Sequence, residues 1–258
     1  HDRAEATILA IIDGDETSVE VFLDHTPFYA ESGGQVGDTG LLIDQETKLA
    51  VKITDTKKEN NLIVHYCDEL PANIHATFIA QVNVAQRMAT ENNHSATHLL
   101  HAALKQVVGE HVNQKGSLVN DSYLRFDISH FAKLTETEIQ QVELIVNEKI
   151  RAQIPLKEER NVAYQKALDS GVTALFGEKY GDFVRVITFD DQYSKELCGG
   201  THVKNTAQIG LFKIISEGAV AAGVRRIEAI TGEQALAFYN EQAALVTSIK
   251  EKLKAPVD

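Results

Sequence analysis

The chain has only two cysteines, Cys67 and Cys198. That excludes a disulfide-stapled secreted scaffold, fits a reducing, cytoplasmic setting and leaves a thiol available for metal. Methionine is almost absent: Met88 stands alone, and the first residue is His1, so the expectation is a piece of a longer polypeptide. No apolar run approaches the ~20 residues needed to cross a bilayer. The amino end, His1-Asp-Arg-Ala-Glu-Ala6, also lacks the apolar stretch of a signal peptide, and no membrane partner is expected. Basic charge is in deficit, with 25 Lys and Arg against 37 Asp and Glu and a net charge of −12. Broad, non-specific binding of nucleic acid is thereby disfavoured, because phosphate neutralisation needs clustered cations. The groups Lys149, Arg151, Lys157, Arg160 and Arg225, Arg226 are read as solvated surface.

What is present is a soluble globular composition, 43% hydrophobic and 24% charged, over 258 residues. This length suffices for one large domain or two smaller ones. Residues 6–80 carry short apolar or alternating runs: 7–12, 18–23, 40–43, 49–53, 61–65 and 76–80. Turn residues such as Asp13-Gly14-Asp15 separate them, the pattern of a small barrel or sandwich. From Val84 to about Val108 the period becomes helical, with an apolar stripe of Ala96, Leu99, Leu100, Ala103, Leu104 and Val107. A hairpin is expected over 117–119 and 123–128, and a helix over Thr135–Ala152 with Thr135 and Glu138 as capping box and Pro155 beyond its end. A short helix over Asn161–Leu168 follows, then strands over 183–189, 210–215 and 224–230, and a long helix over Gly232–Lys254. The expected fold class is α+β. It comprises a β-barrel-like subdomain over 1–83 and an α/β two-layer zinc-binding core with an antiparallel sheet over 84–232. A C-terminal helix over 233–258 follows, either as a domain cap or as the start of a connection to a missing C-terminal region.

Two motifs carry chemistry. His94 and His98 lie four apart, on one face of a helix, where both can reach one ion. Cys198-Gly-Gly-Thr-His202 offers a thiolate and another imidazole, and its glycine pair is expected to permit a φ > 0 fold-back. Three imidazoles and one thiolate are the inventory of a tetrahedral Zn²⁺ site. The helix is not that of a metalloprotease, since Ser95 stands where H-E-x-x-H requires Glu. His101, one turn after His98, is either an orienting partner of a ligand or an ordinary half-buried residue. A third stretch, Asp24–Gly40, is polar and dense in glycine, with Gly33, Gly34, Gly37 and Gly40, and reads as a strand connection or a site loop.

Three runs together resemble the editing region of bacterial alanyl-tRNA synthetases: Thr26-Pro-Phe-Tyr-Ala-Glu-Ser-Gly-Gly-Gln35, the His94/His98 helix continuing Leu-Leu-His-Ala-Ala-Leu, and Cys-Gly-Gly-Thr-His. Gln114–Val119, Leu124–Asp127, Ala174–Gly181 and Ala222–Gly232 extend the likeness in order along nearly the whole chain. The resemblance implies hydrolysis of the ester of seryl-tRNA(Ala) and glycyl-tRNA(Ala), with the tRNA(Ala) acceptor end as partner. ATP would serve only an aminoacylation domain absent here, and the helix over 233–258 would lead towards an oligomerisation domain outside the chain. It implies His94, His98, Cys198 and His202 as zinc ligands, and Thr26 as the group that recognises the serine hydroxyl. Gly33, Gly34 and Gln35 would lie at the substrate, with Gln35 able to bond the ester or terminal adenosine. Glu196 is nominated as a base or water-positioning group. Four protein ligands close a tetrahedral ion, so zinc is expected to order the pocket rather than supply an open position. A freestanding deacylase acting in trans and a zinc-stapled tRNA-binding module without hydrolysis remain alternatives.

Overall fold

The computed structural model describes residues 2–13, 19–174 and 180–253. The centre of the expected 13–15 turn and residues 175–179 of the Ala174–Gly181 match lie outside them, as does the end of the expected tail helix at Lys254. In chain order the elements begin with strands β1 (Arg3–Ala6), β2 (Ile8–Asp13), β3 (Val19–Leu23), β4 (Gly40–Asp44), β5 (Ala50–Glu59), β6 (Leu62–Cys67) and β7 (Phe78–Val82). Helix α1 (Val84–Val108), β8 (Gln114–Val119), β9 (Leu124–Ser129) and α2 (Glu136–Arg151) follow. Next come β10 (Lys157–Ala163), α3 (Tyr164–Asp169), β11 (Phe183–Phe189) and β12 (Ser194–Leu197). After a 3₁₀ turn at Thr206–Ile209 the chain ends with β13 (Phe212–Ala221), β14 (Val224–Thr231) and α4 (Gly232–Leu253).

The first seven strands form one antiparallel sheet in the order β1-β7-β4-β5-β6-β3-β2. Its two end strands are separated by Thr7 alone, so the sheet curls until its ends meet in one bent segment. Alternation in β5 turns Val51 and Ile53 inward against Val21, Leu42, Phe78 and Ala80. The second antiparallel sheet, β13-β14-β9-β8, joins α1 and α2 around the largest core. Leu99, Leu100 and Leu104 of α1 and Val142, Val146 and Ile150 of α2 share that core with Phe126, Phe212 and Ile227. The third sheet, β10-β11-β12, packs with α3 around Val184, Val186 and Leu197. The chain is thus α+β, with antiparallel sheets and a terminal helix. Among the described residues no helix is long and apolar enough to cross a membrane.

Local chemistry explains the ends. Asn83 caps α1 by accepting from the Gln86 N–H, and Thr135 and Glu138 form the reciprocal capping box of α2. The expected helix over Asn161–Leu168 needs correction: its first three residues belong to β10, where Val162 and Ala163 pair with Val184 and Phe183. A bulge between Glu159 and Val162, with Asn161 at φ 54°, hides the strand alternation there. The strand expected from Gly210 starts at Phe212, because Gly210, at φ 76°, closes the 3₁₀ turn. The strand expected over 76–80 runs over Phe78–Val82 instead.

Candidate metal centre

His94 and His98 project from α1 towards the turn that follows β12, where Cys198 and His202 stand. The four donor atoms lie within 4.8 Å of one another. The Cys198 Sγ is 3.4 Å from His94 Nε2 and 3.3 Å from His202 Nε2. A tetrahedron with bonds of about 2.0–2.3 Å has edges of about 3.3–3.8 Å, so these separations suit one cation.

Every donor residue is held from behind. His94 Nδ1 lies 2.6 Å from Gln35 Oε1, His98 Nδ1 2.7 Å from Glu196 Oε2, and His202 Nδ1 3.3 Å from the Ser95 hydroxyl. Donation from Nδ1 to Gln35 and Glu196 fixes the tautomer that leaves an Nε2 lone pair facing the cluster. The Gly200 N–H reaches Cys198 Sγ at 3.4 Å. Among the described residues His98 Nε2 is buried without a hydrogen-bond partner, an orphan that a bound cation satisfies. Charge agrees with geometry. Burial opposes a Cys198 thiolate, but His94 and His202 outweigh it and carry the thiol well below its ordinary value. Burial would also lower His98, but the Glu196 carboxylate outweighs it and raises the ring to about 10, while Glu196 itself falls far below the carboxylate range. At His202 burial wins and the ring drops to about 3. Without an ion, protonated His98 balances part of the charge of the buried thiolate and carboxylate; a dication would take the place of that proton and free Nε2 as a ligand. The residues present therefore fit a metal ion.

The expected φ > 0 fold-back at the glycine pair is not what forms the turn: neither Gly199 nor Gly200 has positive φ. Gly200 is needed for close approach, since a Cβ there would overlap the His94 ring and lie 2.7 Å from Gln35 Oε1. Gly199 meets no such obstacle. Arg185 fastens the same turn by donating to the Gly200 and Cys198 carbonyls while pairing with Glu158 at 2.8 Å. That guanidinium, burial opposing it, draws the Glu158 carboxyl down to about 2.

Gln35 is 1% exposed, and both ends of its amide are bonded. Oε1 takes His94 and the Thr201 N–H at 2.9 Å, and Nε2 donates to the Thr201 hydroxyl at 2.9 Å. These bonds tie the glycine loop to α1 and to the Cys198 turn, and the second Nε2 hydrogen is left for the ester or adenosine contact expected from the sequence. Glu196 holds two imidazoles: one oxygen lies 2.7 Å from His98 Nδ1 and the other 2.8 Å from His101 Nδ1. Gly33, at φ 59°, lines a cavity of about 210 Å³ next to the donors, whereas Gly34 backs onto the Ser117 backbone. Thr26 is not among the described residues lining that cavity; its hydroxyl lies 2.7 Å from buried His65 Nε2 and accepts the Phe28 N–H. Sequence reasoning missed Ser95 and Arg185. Ser95 was visible only as a departure from a protease motif, and nothing local to Arg185 signals its contact with the turn.

On its other side the glycine pair borders a larger cleft of about 1030 Å³, lined in part by Arg160, Arg185, Lys204, Glu91 and His202. The basic groups noted in the sequence are mostly paired: Lys149 with Asp190, Arg160 with Glu158, Arg225 with Glu217 and Arg226 with Asp127.

Residues 184–228 match the family described as the threonyl and alanyl tRNA synthetase second additional domain, and residues 4–88 match the class II (A) tRNA synthetases. Fold, donor cluster and both matches define a synthetase-associated domain. Three relatives narrow this, each called alanine–tRNA ligase. That of Cytophaga hutchinsonii is 62% identical over 239 residues, 93% of this chain and 27% of the relative. That of Flavobacterium psychrophilum is 57% identical over 246 residues, 93% of this chain and 28% of the relative. That of Bacteroides fragilis is 57% identical over 218 residues, 84% of this chain and 24% of the relative. The chain belongs to the alanine–tRNA ligase family, as a segment spanning about a quarter of the length of these relatives.

Proposed function

We propose that this segment is the editing part of an alanyl-tRNA synthetase, hydrolysing the ester of tRNA(Ala) mischarged with serine or glycine. The observation that carries the reading is a four-donor cluster, braced from behind, opening onto a cavity of about 210 Å³ with room for an aminoacyl group. Physics supplies the need. A synthetic pocket for alanine cannot exclude glycine by size, and rejection of one added hydroxyl by binding alone gives only about 10².

The ion is zinc, held by His94, His98, Cys198 and His202. When bound it supplies a fixed positive charge that orders the pocket and favours electron-rich groups beside it. Gln35 and Glu196 keep His94 and His98 in register, and Arg185 holds the turn that separates cavity from cleft. The tRNA acceptor end enters through the larger cleft, and its aminoacyl group passes the glycine pair into the cavity. A water positioned there attacks an already labile ester. The division into subdomains at residues 83/84 and 232/233 is part of the same proposal, as are aminoacylation and oligomerisation by other parts of the longer protein.

Incubation of the zinc-loaded chain with seryl-, glycyl- and alanyl-tRNA(Ala) tests this. Release of free serine and glycine, with the alanyl ester spared, is expected. Retention of seryl-tRNA without release would show a binding module instead. Unchanged deacylation by a Cys198→Ala protein that has lost its zinc would remove the metal from the account.

A further inference from the structure

We propose that His101 is the residue that tells serine from alanine, its Nε2 accepting the hydroxyl of the seryl group. The inference rests on the editing reading above and assigns a residue which that reading leaves unused. His101 lines the small cavity with its side chain only 3% exposed. Its Nδ1 is 2.8 Å from Glu196 Oε1, so Nδ1–H donates to the carboxylate and the lone pair sits on Nε2. Among the described residues that Nε2 is buried without a hydrogen-bond partner. The ring stands edge-on to Phe126, 5.3 Å between centroids, so the acceptor lies beside an apolar wall.

Such an acceptor sorts three small esters by what each leaves beside it. A seryl hydroxyl donates to Nε2. A glycyl group leaves room for a water, of about 30 Å³, to do the same. An alanyl methyl fills that room and donates nothing, so the acceptor stays buried and unpaired. One polar atom thereby accounts for acceptance of residues smaller and more polar than alanine and refusal of alanine itself. The Thr26 hydroxyl is bonded to His65 Nε2 and the Phe28 N–H.

His101→Asn separates the two edges of the ring: the Asn amide can still donate to Glu196, but nothing remains at the Nε2 position. With zinc content and melting temperature checked, the seryl-to-alanyl deacylation ratio should fall about tenfold or more. His101→Gln, which carries its amide out to the Nε2 position, should keep more of the ratio. Binding gives a readout independent of turnover. The amide-linked analogue 3′-seryl-amino-3′-deoxyadenosine should bind the Asn variant about tenfold more weakly, with its glycyl counterpart moving less than about twofold. An unchanged ratio in a zinc-retaining Asn variant overturns the assignment. So does a uniform loss on all three esters accompanied by zinc loss, which would make His101 only a support for Glu196. If the unsubstituted chain hydrolyses none of the esters, the editing reading itself falls and this assignment with it.

Discussion

At the scale of single residues, the cluster depends on distances that a methyl group or a lost oxygen would spoil. Gly200→Ala must displace the His94 ring or Gln35, whereas Gly199→Ala meets nothing. Zinc content by plasma mass spectrometry should drop sharply in the first variant and stay near one per chain in the second. Glu196→Gln keeps the shape but removes the charge behind both bonds and sets an amide NH2 against one of the two imidazole N–H donors, of His98 or His101. Zinc affinity, measured by chelator competition, should fall about 10–100-fold. Glu91 makes a different point. Burial in the cleft wall raises its carboxyl to about 7, so the folded protein holds a proton there that the unfolded chain releases at about 4.5. The stability tied to that proton is fully present below the lower value and is lost as pH rises through the upper one. Glu91→Gln should therefore raise stability at pH 8 by roughly 1 kcal/mol, after solvent screening at its half-buried position, and leave it little changed at pH 4. Paired urea melts at the two pH values measure this.

At the scale of elements, periodicity made most of the secondary structure legible. The four-residue spacing of His94 and His98 within an apolar stripe identified α1 and its metal-facing side, and Thr135 and Glu138 marked the start of α2. Thr135→Ala should cost about 1 kcal/mol in urea unfolding, because the cap holds a helix whose Val142, Val146 and Ile150 anchor the main core. The strand end at Asn161 was illegible because a bulge breaks the two-residue alternation. The partners of the donors were illegible for another reason: Gln35 and Thr201 are separated by 166 positions, and no local pattern encodes such a pairing. Helix α4 shows the limit of helical periodicity as a guide to packing. Among its described residues only Ala235 is buried, with Leu245, Ile249 and Leu253 facing outward. In this chain its amides beyond the first turns should exchange with deuterium far faster than those of α1.

At the scale of the whole molecule, the candidate metal centre is a joint among distant parts. Donors come from α1 and the Cys198 turn, Gln35 comes from the glycine loop between β3 and β4, and Arg87 of α1 pairs with Asp38 and the Pro27 carbonyl of that loop. Chelation should consequently lower the melting temperature of the full chain, by an amount that grows with free zinc as RT ln(1 + [Zn]/Kd). Calorimetric scans at a series of buffered zinc concentrations test the logarithmic dependence; a melting point indifferent to zinc would mean that the joint holds without its ion.

That Gln35, His94, His98, Cys198 and His202 converge from so far apart also sets a schedule for biosynthesis. A growing polypeptide has no complete donor set until residue 202 has left the ribosome, so capture of an ion by this cluster would be a late event that certifies assembly. In the interval Cys198 is an unguarded sulfur, and oxidants have their best access to it before the domain closes.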